Sequence, residues 1–260
     1  MAIAIDGKKI NKEIGESLFV KIKNKNIKPK LGILCVGEDS ASLSFINVKK
    51  KFGEKYGFTV NILKLSENVF MDEIKLSLNN LQKENDAVIV QLPLPENLKK
   101  NTEEILNFIE KEKDVDNLND GNFTAPIVLA LEKVLNEVKI FNYGEAKFGI
   151  VGLGQVVGLP IKKYLEENNL QFVVVGKDEH EKLIDCDVVI SGVGSPFLIK
   201  KEFIKESAIL IDYGCSFVNG KACGDFDPET FSKASYYTPV PGCMGPLVVA
   251  SLFENVLKAN

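Results

Sequence analysis

Seven short apolar runs punctuate this chain, and their spacing points to a layered α/β architecture. They are "LGILCVG" (31–37), "TVNILKL" (59–65), "DAVIVQL" (86–92), "FGIVGLG" (148–154), "FVVVGK" (172–177), "DVVISGVG" (187–194) and "AILIDYG" (208–214). Charged stretches with apolar residues at helical spacing separate them, among them 71–84, 101–112 and 156–169. Near-continuous apolar strands are buried on both faces, and strands separated by helices pair in parallel. The expectation is an α/β fold of parallel sheets covered by helices.

The alternation pauses once. "KDVDNLNDGNFTAP" (113–126) is polar, and the helical "IVLALEKVLNEV" (127–138) follows it. A chain of 260 residues is long enough for two modest domains. The expected division is 1–122 and 123–244, with a further helix at 245–260.

Composition excludes several classes of function. The net charge of −4 argues against nucleic acid as a partner. No apolar run approaches the roughly 20 residues of a membrane span, so no membrane partner is expected. "MAIAIDGKKI" lacks the apolar core of a signal peptide, and the cytoplasm is the expected compartment. Five scattered cysteines without a CxxC pair, and one histidine, His180 in "KDEHEK", give no basis for a metal site. All 32 basic residues are lysines, so no guanidinium fork is available for phosphate or carboxylate.

In "FGIVGLGQVVGLP", Gly152, Gly154 and Gly158 stand at a strand-to-helix junction, with Gln155 and Val157 inside the turn. Glycines at such a junction permit a tight turn and close approach of a pyrophosphate to the helix N-terminus. A tight turn without a ligand would look similar. The next strand closes on Lys177 and Asp178. An acid there suits the ribose of NAD and a base suits the extra phosphate of NADP, so the choice stays open. Gly192, Val193 and Gly194 in "SGVGSP" fit a backbone wall against a nicotinamide, or a plain turn.

In the first half, "AVIVQLPLPENL" (87–98) ends a strand at Gln91, because the prolines behind it cannot donate to a ladder. "SASLSFINVKKKFGEKYGF" (40–58) is expected as a helix with Ser40 or Ser42 near its cap. Phe45, Ile46, Lys49, Phe52 and Tyr56 share one face of it. Lys49 in that apolar stripe either snorkels to water or is an ammonium held for chemistry with a lowered pKa. Gln91, Asp114 and Asp116 are acceptors that could orient it.

"VGEDSASLSFINVKKK", "VQLPLP", "KDVD", "GQVVGLP", "GKACGDFD" and "YYTPVPGCMGP" occur in the order typical of one family. The chain resembles the methylenetetrahydrofolate dehydrogenase/methenyltetrahydrofolate cyclohydrolase family over nearly its whole length. The resemblance implies an N-terminal α/β catalytic domain completed by the last helix, a Rossmann-like domain for NADP or NAD, and a folate cleft between them. It implies oxidation of 5,10-methylenetetrahydrofolate and hydrolysis of the product to 10-formyltetrahydrofolate, within one-carbon metabolism that supplies purine biosynthesis. Lys49, Gln91 and Asp116 become the catalytic candidates. Phe45, Leu92, Pro93, Pro241, Gly242, Gly245 and Pro246 would line the folate, and Gly152, Gly154, Gln155, Val157, Gly158, Lys177, Asp178, Gly192, Val193 and Gly194 the dinucleotide. A homodimer is also implied.

The chain departs from the family pattern in places. Phe45 replaces a tyrosine, and Gly152-Leu153-Gly154 replaces "G-R-S". "FTAP" and "PGCMGPLV" also differ from the usual "CTPxG" and "PGGVGPMT". Alternatives are a cyclohydrolase with a lost or altered dehydrogenase step, or a non-catalytic folate-binding relative. The Rossmann half alone would also suit an amino-acid or shikimate-type dehydrogenase, which leaves "QLPLP…KDVD" unexplained.

Overall fold

The computed structural model describes residues 2–138 and 144–260. In chain order the elements of its first part are β1 (Ile3–Ala4), α1 (Gly7–Lys25), β2 (Lys30–Val36), α2 (Ser40–Lys55), β3 (Thr59–Leu65), α3 (Met71–Glu84), β4 (Ala87–Val90), α4 (Thr102–Leu106) and α5 (Pro126–Glu137). Then come β5 (Lys147–Val151), α6 (Gly158–Glu167), β6 (Gln171–Val175), β7 (Val188–Ser191), β8 (Ile209–Asp212), β9 (Ser216–Val218), β10 (Lys221–Cys223), β11 (Tyr236–Tyr237) and α7 (Met244–Ala259). The chain forms two compact units. One comprises Lys12–Pro126 and Val249–Asn260, the other Met1–Asn11 and Ile127–Val248. Residues 2–11 thus group with the second half of the chain and not with the rest of the expected 1–122.

The first unit is built on a three-stranded parallel sheet, ordered β3-β2-β4. Its strands alternate between two cores. Leu31, Ile33, Cys35 and Ile89 face one side with Leu18, Phe52 and Phe253. Leu34, Val36, Val88 and Val90 face the other with Ile74, Leu78 and Ile105. Burial on both faces explains why these strands carry no polar alternation. α7 enters the first core through Val249, Leu252, Phe253 and Val256. The ring of Phe253 lies 5.3 Å from Phe52 and 4.8 Å from Phe58, centroid to centroid. Gly53 lets α2 approach this ring, since a Cβ there would stand 2.7 Å from it.

Two local features refine the expectations. The cap of α2 is Asp39, next to Ser40, and its carboxylate accepts the Ser42 N–H at 2.7 Å. The expected helix over 101–112 is cut short at Leu106. There the Gln82 side chain donates to the Phe108 carbonyl at 3.3 Å and accepts the Glu110 N–H at 2.6 Å. An amide that satisfies the backbone in this way replaces the helical ladder.

The second unit carries a six-stranded parallel sheet ordered β1-β11-β8-β7-β5-β6, and a β9–β10 hairpin. Strand order reverses around β5 and β7, the arrangement that opens a crevice at strand carboxyl ends in doubly wound sheets. β1 joins by pairing Ile3 with Tyr236 and Ala4 with Tyr237. Among the described residues no helix is long and apolar enough to cross a membrane.

Phe253 is fully buried and fills space among Phe52, Phe58 and Gly53. Phe253→Ala is expected to destabilise the protein by about 3–5 kcal/mol. Urea unfolding would record this as a lower midpoint, and an unchanged midpoint would show that the first unit does not rely on α7.

Candidate active site

The carboxyl edge of the first unit's sheet gathers three of the singled-out residues. Gln91 directly follows β4, and its backbone N–H still bonds Leu34 at 2.8 Å. Its side chain is only 8% exposed, so both ends of the amide need partners. Oε1 accepts from Lys49 Nζ at 3.0 Å, and Nε2 donates to the Leu92 carbonyl at 2.7 Å. These two bonds fix the amide orientation and aim its oxygen at the ammonium. Leu92 and Pro93 continue from it, Pro93 exposed and joined to Leu92 by a cis peptide.

Lys49 feels two opposing influences. Burial of its ammonium pushes its pKa below the ordinary lysine value, and the charge of Asp116 works against that. Asp116 mirrors it: burial raises the carboxyl pKa, and Lys49 pulls it down. Each group's charge offsets part of the desolvation that favours the neutral form of its partner. Of the face expected on α2, Ile46, Phe52 and Tyr56 are buried, whereas Phe45 is 45% exposed. An open aromatic ring one helical turn from a desolvated lysine offers a stacking surface for a flat heterocycle.

The segment that carries Asp116 is held from three sides. Asp114 bridges to Val88 beside β4, and its carboxylate accepts the Asn119 N–H at 2.9 Å. Burial raises its pKa to about 6. Asp114 is therefore a buried brace of the turn. Lys113 donates to the Gln82 carbonyl and, at 2.9 Å, to that of Asn85. From α7, Asn255 donates to the carbonyls of Val115 at 3.0 Å and Thr124 at 2.8 Å. Asn255 was not singled out from sequence. A lone asparagine in an apolar helix, "SLFENVL", is the only signal of it.

The second unit separates the roles of its glycines. Gly152 has φ +75°, a conformation other residues rarely adopt. A Cβ on Gly158 would lie 2.2 Å from the Gly152 carbonyl, so the first turn of α6 can press against the loop only with glycine there. Gly154 has open space around it and is constrained by neither demand. A glycine that its own chain does not require, before a helix N-terminus, fits close approach of a phosphate. Val157 packs on Gly192, where a Cβ would lie 2.6 Å from it. Leu153, Leu159 and Val193 are all more than a third exposed and give this edge an apolar surface. These residues fit a dinucleotide: amides for its phosphates, apolar side chains for its rings.

Gln155, Lys177 and Asp178 are exposed. Beyond the last two, Glu179 accepts the Gly176 N–H at 3.0 Å and pairs with Lys182, which holds its carboxyl below the usual range. It shapes the turn after β6 and was not singled out. Pro241, Gly242, Gly245 and Pro246 belong to the second unit, at the entry to α7. The Pro246 carbonyl there accepts from Asn11 at 2.6 Å. Among the described residues no cluster of His, Cys, Asp and Glu could hold a metal.

Comparison with known proteins decides what carries this geometry. Residues 5–116 match the family model for the tetrahydrofolate dehydrogenase/cyclohydrolase catalytic domain, and residues 127–260 match the one for its NAD(P)-binding domain. The chain belongs to this family. The "Bifunctional protein FolD" of Hydrogenobaculum is 36% identical, over 98% of this chain and 97% of the relative. The structure of the bifunctional FolD enzyme of Campylobacter jejuni matches with TM-score 0.92 at 29% identity, over 100% of this chain and 98% of that one. That of Trypanosoma brucei FolD, complexed with NADP and inhibitor, matches with TM-score 0.91 at 26% identity, over 99% and 97%. The NAD(P)-binding match runs through residues 249–260, which in space belong to the first unit.

The glycine roles can be separated by experiment. Gly154→Ala should leave stability within about 0.5 kcal/mol, as a surface change does, yet weaken NAD(P) binding measured by calorimetry. Gly158→Ala should lower the melting temperature as well, because its Cβ meets backbone. Full affinity in Gly154→Ala would mean that no phosphate approaches there.

Proposed function

We propose that this chain oxidises 5,10-methylenetetrahydrofolate with NAD(P) and hydrolyses the resulting methenyl compound to 10-formyltetrahydrofolate. The observation that carries the reading is the Lys49–Gln91 bond with Asp116 in electrostatic reach, in a chain of this family. Bound NAD(P) supplies the hydride acceptor for the first reaction. The chain's own groups then act on the cation. Gln91 holds the Lys49 nitrogen in place, and the neutral amine accepts a proton from the attacking water. Asp116 hydrogen-bonds the polar edge of the pterin, Phe45 stacks on its ring, and Leu92 and Pro93 form a rigid wall. Pro241, Gly242, Gly245 and Pro246 supply backbone and apolar contacts to the folate. The dinucleotide lies on Gly152, Gly154, Gln155, Val157 and Gly158, with Gly192, Val193 and Gly194 at its nicotinamide and Lys177 and Asp178 at its ribose.

We place the enzyme in the cytoplasm, which its free cysteines suit, as a homodimer supplying one-carbon units for purine biosynthesis. A cyclohydrolase without the dehydrogenase step has no observation in its favour, because the glycine turn and its exposed apolar rim fit a dinucleotide.

Lys49→Met should reduce cyclohydrolase turnover by about 10²–10⁴-fold, the range for a general acid–base group. Because the neutral amine is the active form, wild-type kcat should rise with pH and level off below the ordinary lysine range. Asp116→Asn removes the charge that raises the Lys49 pKa, so this limb should move to lower pH. A Lys49→Met enzyme within a few-fold of wild type, followed by methenyltetrahydrofolate absorbance, would show that the lysine only snorkels.

Cofactor choice rests on a point charge. Lys177 is exposed and Asp178 beside it repels a 2′-phosphate, so discrimination between NADP and NAD should be weak and decline with salt. Lys177→Ala should remove it. An NADP preference surviving in that variant, by the ratio of kcat/KM values, would assign the phosphate to other groups.

A further inference from the structure

The second unit buries a pair of aspartates. Asp212 ends β8 and Asp225 follows β10; both are buried, Asp225 completely. The chain makes room for them with two glycines. A Cβ on Gly214 would stand 2.3 Å from Asp225 Oδ1, and one on Gly224 would stand 1.9 Å from Asp212 Oδ2. Each carboxylate occupies the space that a side chain at the other's neighbouring glycine would need.

The donors around Asp225 come from the end of β7 and the loop after it. Its Oδ2 accepts the Ser191 hydroxyl at 2.7 Å, the Val193 N–H at 2.8 Å and the Gly194 N–H at 3.3 Å. Its Oδ1 accepts the Ser195 N–H at 2.8 Å. Successive amides converging on one anion form a nest, the device that elsewhere binds phosphate. Here the anion belongs to the chain. Asp212 sets Asp225 in turn, since its Oδ2 accepts the N–H of Asp225 at 2.9 Å and that of Phe226 at 3.2 Å. Burial and the charge of Asp225 push Asp212 up to about 7.

The amides of Val193, Gly194 and Ser195 are committed to Asp225 and are not offered to a phosphate. What the loop presents is the Val193 side chain, which is 47% exposed. That surface suits a flat ring rather than a phosphate. We propose that Asp225 is a positioning residue for hydride transfer: by filling the amide nest of residues 193–195 it bars anions from this loop and fixes it for the nicotinamide end of the dinucleotide. The proposal rests on the dehydrogenase reading above. It assigns a task to "GDFD", where the sequence showed only a resemblance.

The test uses full-length Asp225→Asn. An amide cannot accept from all four donors, so some must be released. Without nucleotide, hydrogen exchange of the 193–195 amides should accelerate about tenfold or more, as expected when charge-assisted bonds are lost. Binding of the reduced dinucleotide, followed by its fluorescence, should weaken by a similar factor. Cyclohydrolase turnover, which draws on Lys49 in the other unit, reports whether the fold is intact. Ser191→Ala removes one donor and should shift exchange and binding in the same direction by less, which keeps the proposal testable if Asp225→Asn does not fold. Unchanged exchange and binding in both variants would overturn the proposal, as would a parallel loss of cyclohydrolase turnover. Failure of the wild type to bind any dinucleotide would instead overturn the dehydrogenase reading.

Discussion

Parallel pairing is the constraint from which the rest of this structure follows. Two parallel neighbours need a crossover, and a crossover begins where a strand ends. In both units every carboxyl end therefore lies on one edge of the sheet. Side chains placed just past those ends are delivered to a common edge without any long-range search. Gln91 leaves β4 in this way, the glycine turn leaves β5, the Asp225-bound loop leaves β7, and Asp212 closes β8. The chemistry differs from end to end, but the positioning principle is the same.

Burial is then used with opposite signs in the two units. In the first, an ammonium and a carboxylate are both drawn from water, and the charge of each offsets part of the other's desolvation. Removing either leaves an unpaired buried charge, which adjusts by changing its protonation state. That is a useful property for a group that must exchange a proton. In the second unit two like groups are buried together, and backbone amides take the place of a counter-charge. Those amides belong to separate stretches of the chain, so the carboxylates tie these stretches together. One chain thus carries a buried pair of opposite charges and a buried pair of like groups held by backbone.

The repeating elements were plain in the sequence because a strand buried on both faces has no option but an apolar run. β3 occupies the span of "TVNILKL", and α3 that of 71–84. Lys49 stood out because a charge on an apolar face conflicts with its surroundings, and Gln91 because prolines end the strand behind it. Features that depend on a distant partner were hidden. The short α4 is set by Gln82, some two dozen residues away. β1 has only two residues, and its place is defined by Tyr236 and Tyr237. Asn255 and Asp225 read as ordinary polar residues until the carbonyls and amides they hold are in view. Phe45 shares helical spacing with buried neighbours but stays open, because periodicity gives a direction and not what lies there.

The route of α7 bears on how the protein is made. Val249, Phe253 and Val256 complete a core whose other walls were laid down before residue 127. Translation adds about 5–20 residues per second, so on the order of ten seconds separate the two contributions. During that interval the rings of Phe52 and Phe58 lack the partner they have in the finished molecule. The strands of the second unit emerge after β1 is already available, and they lie within the intervening segment. The half synthesised first is thus the half sealed last. A ribosome that pauses within residues 127–248 holds out an open apolar face, the kind of surface that holdase chaperones bind.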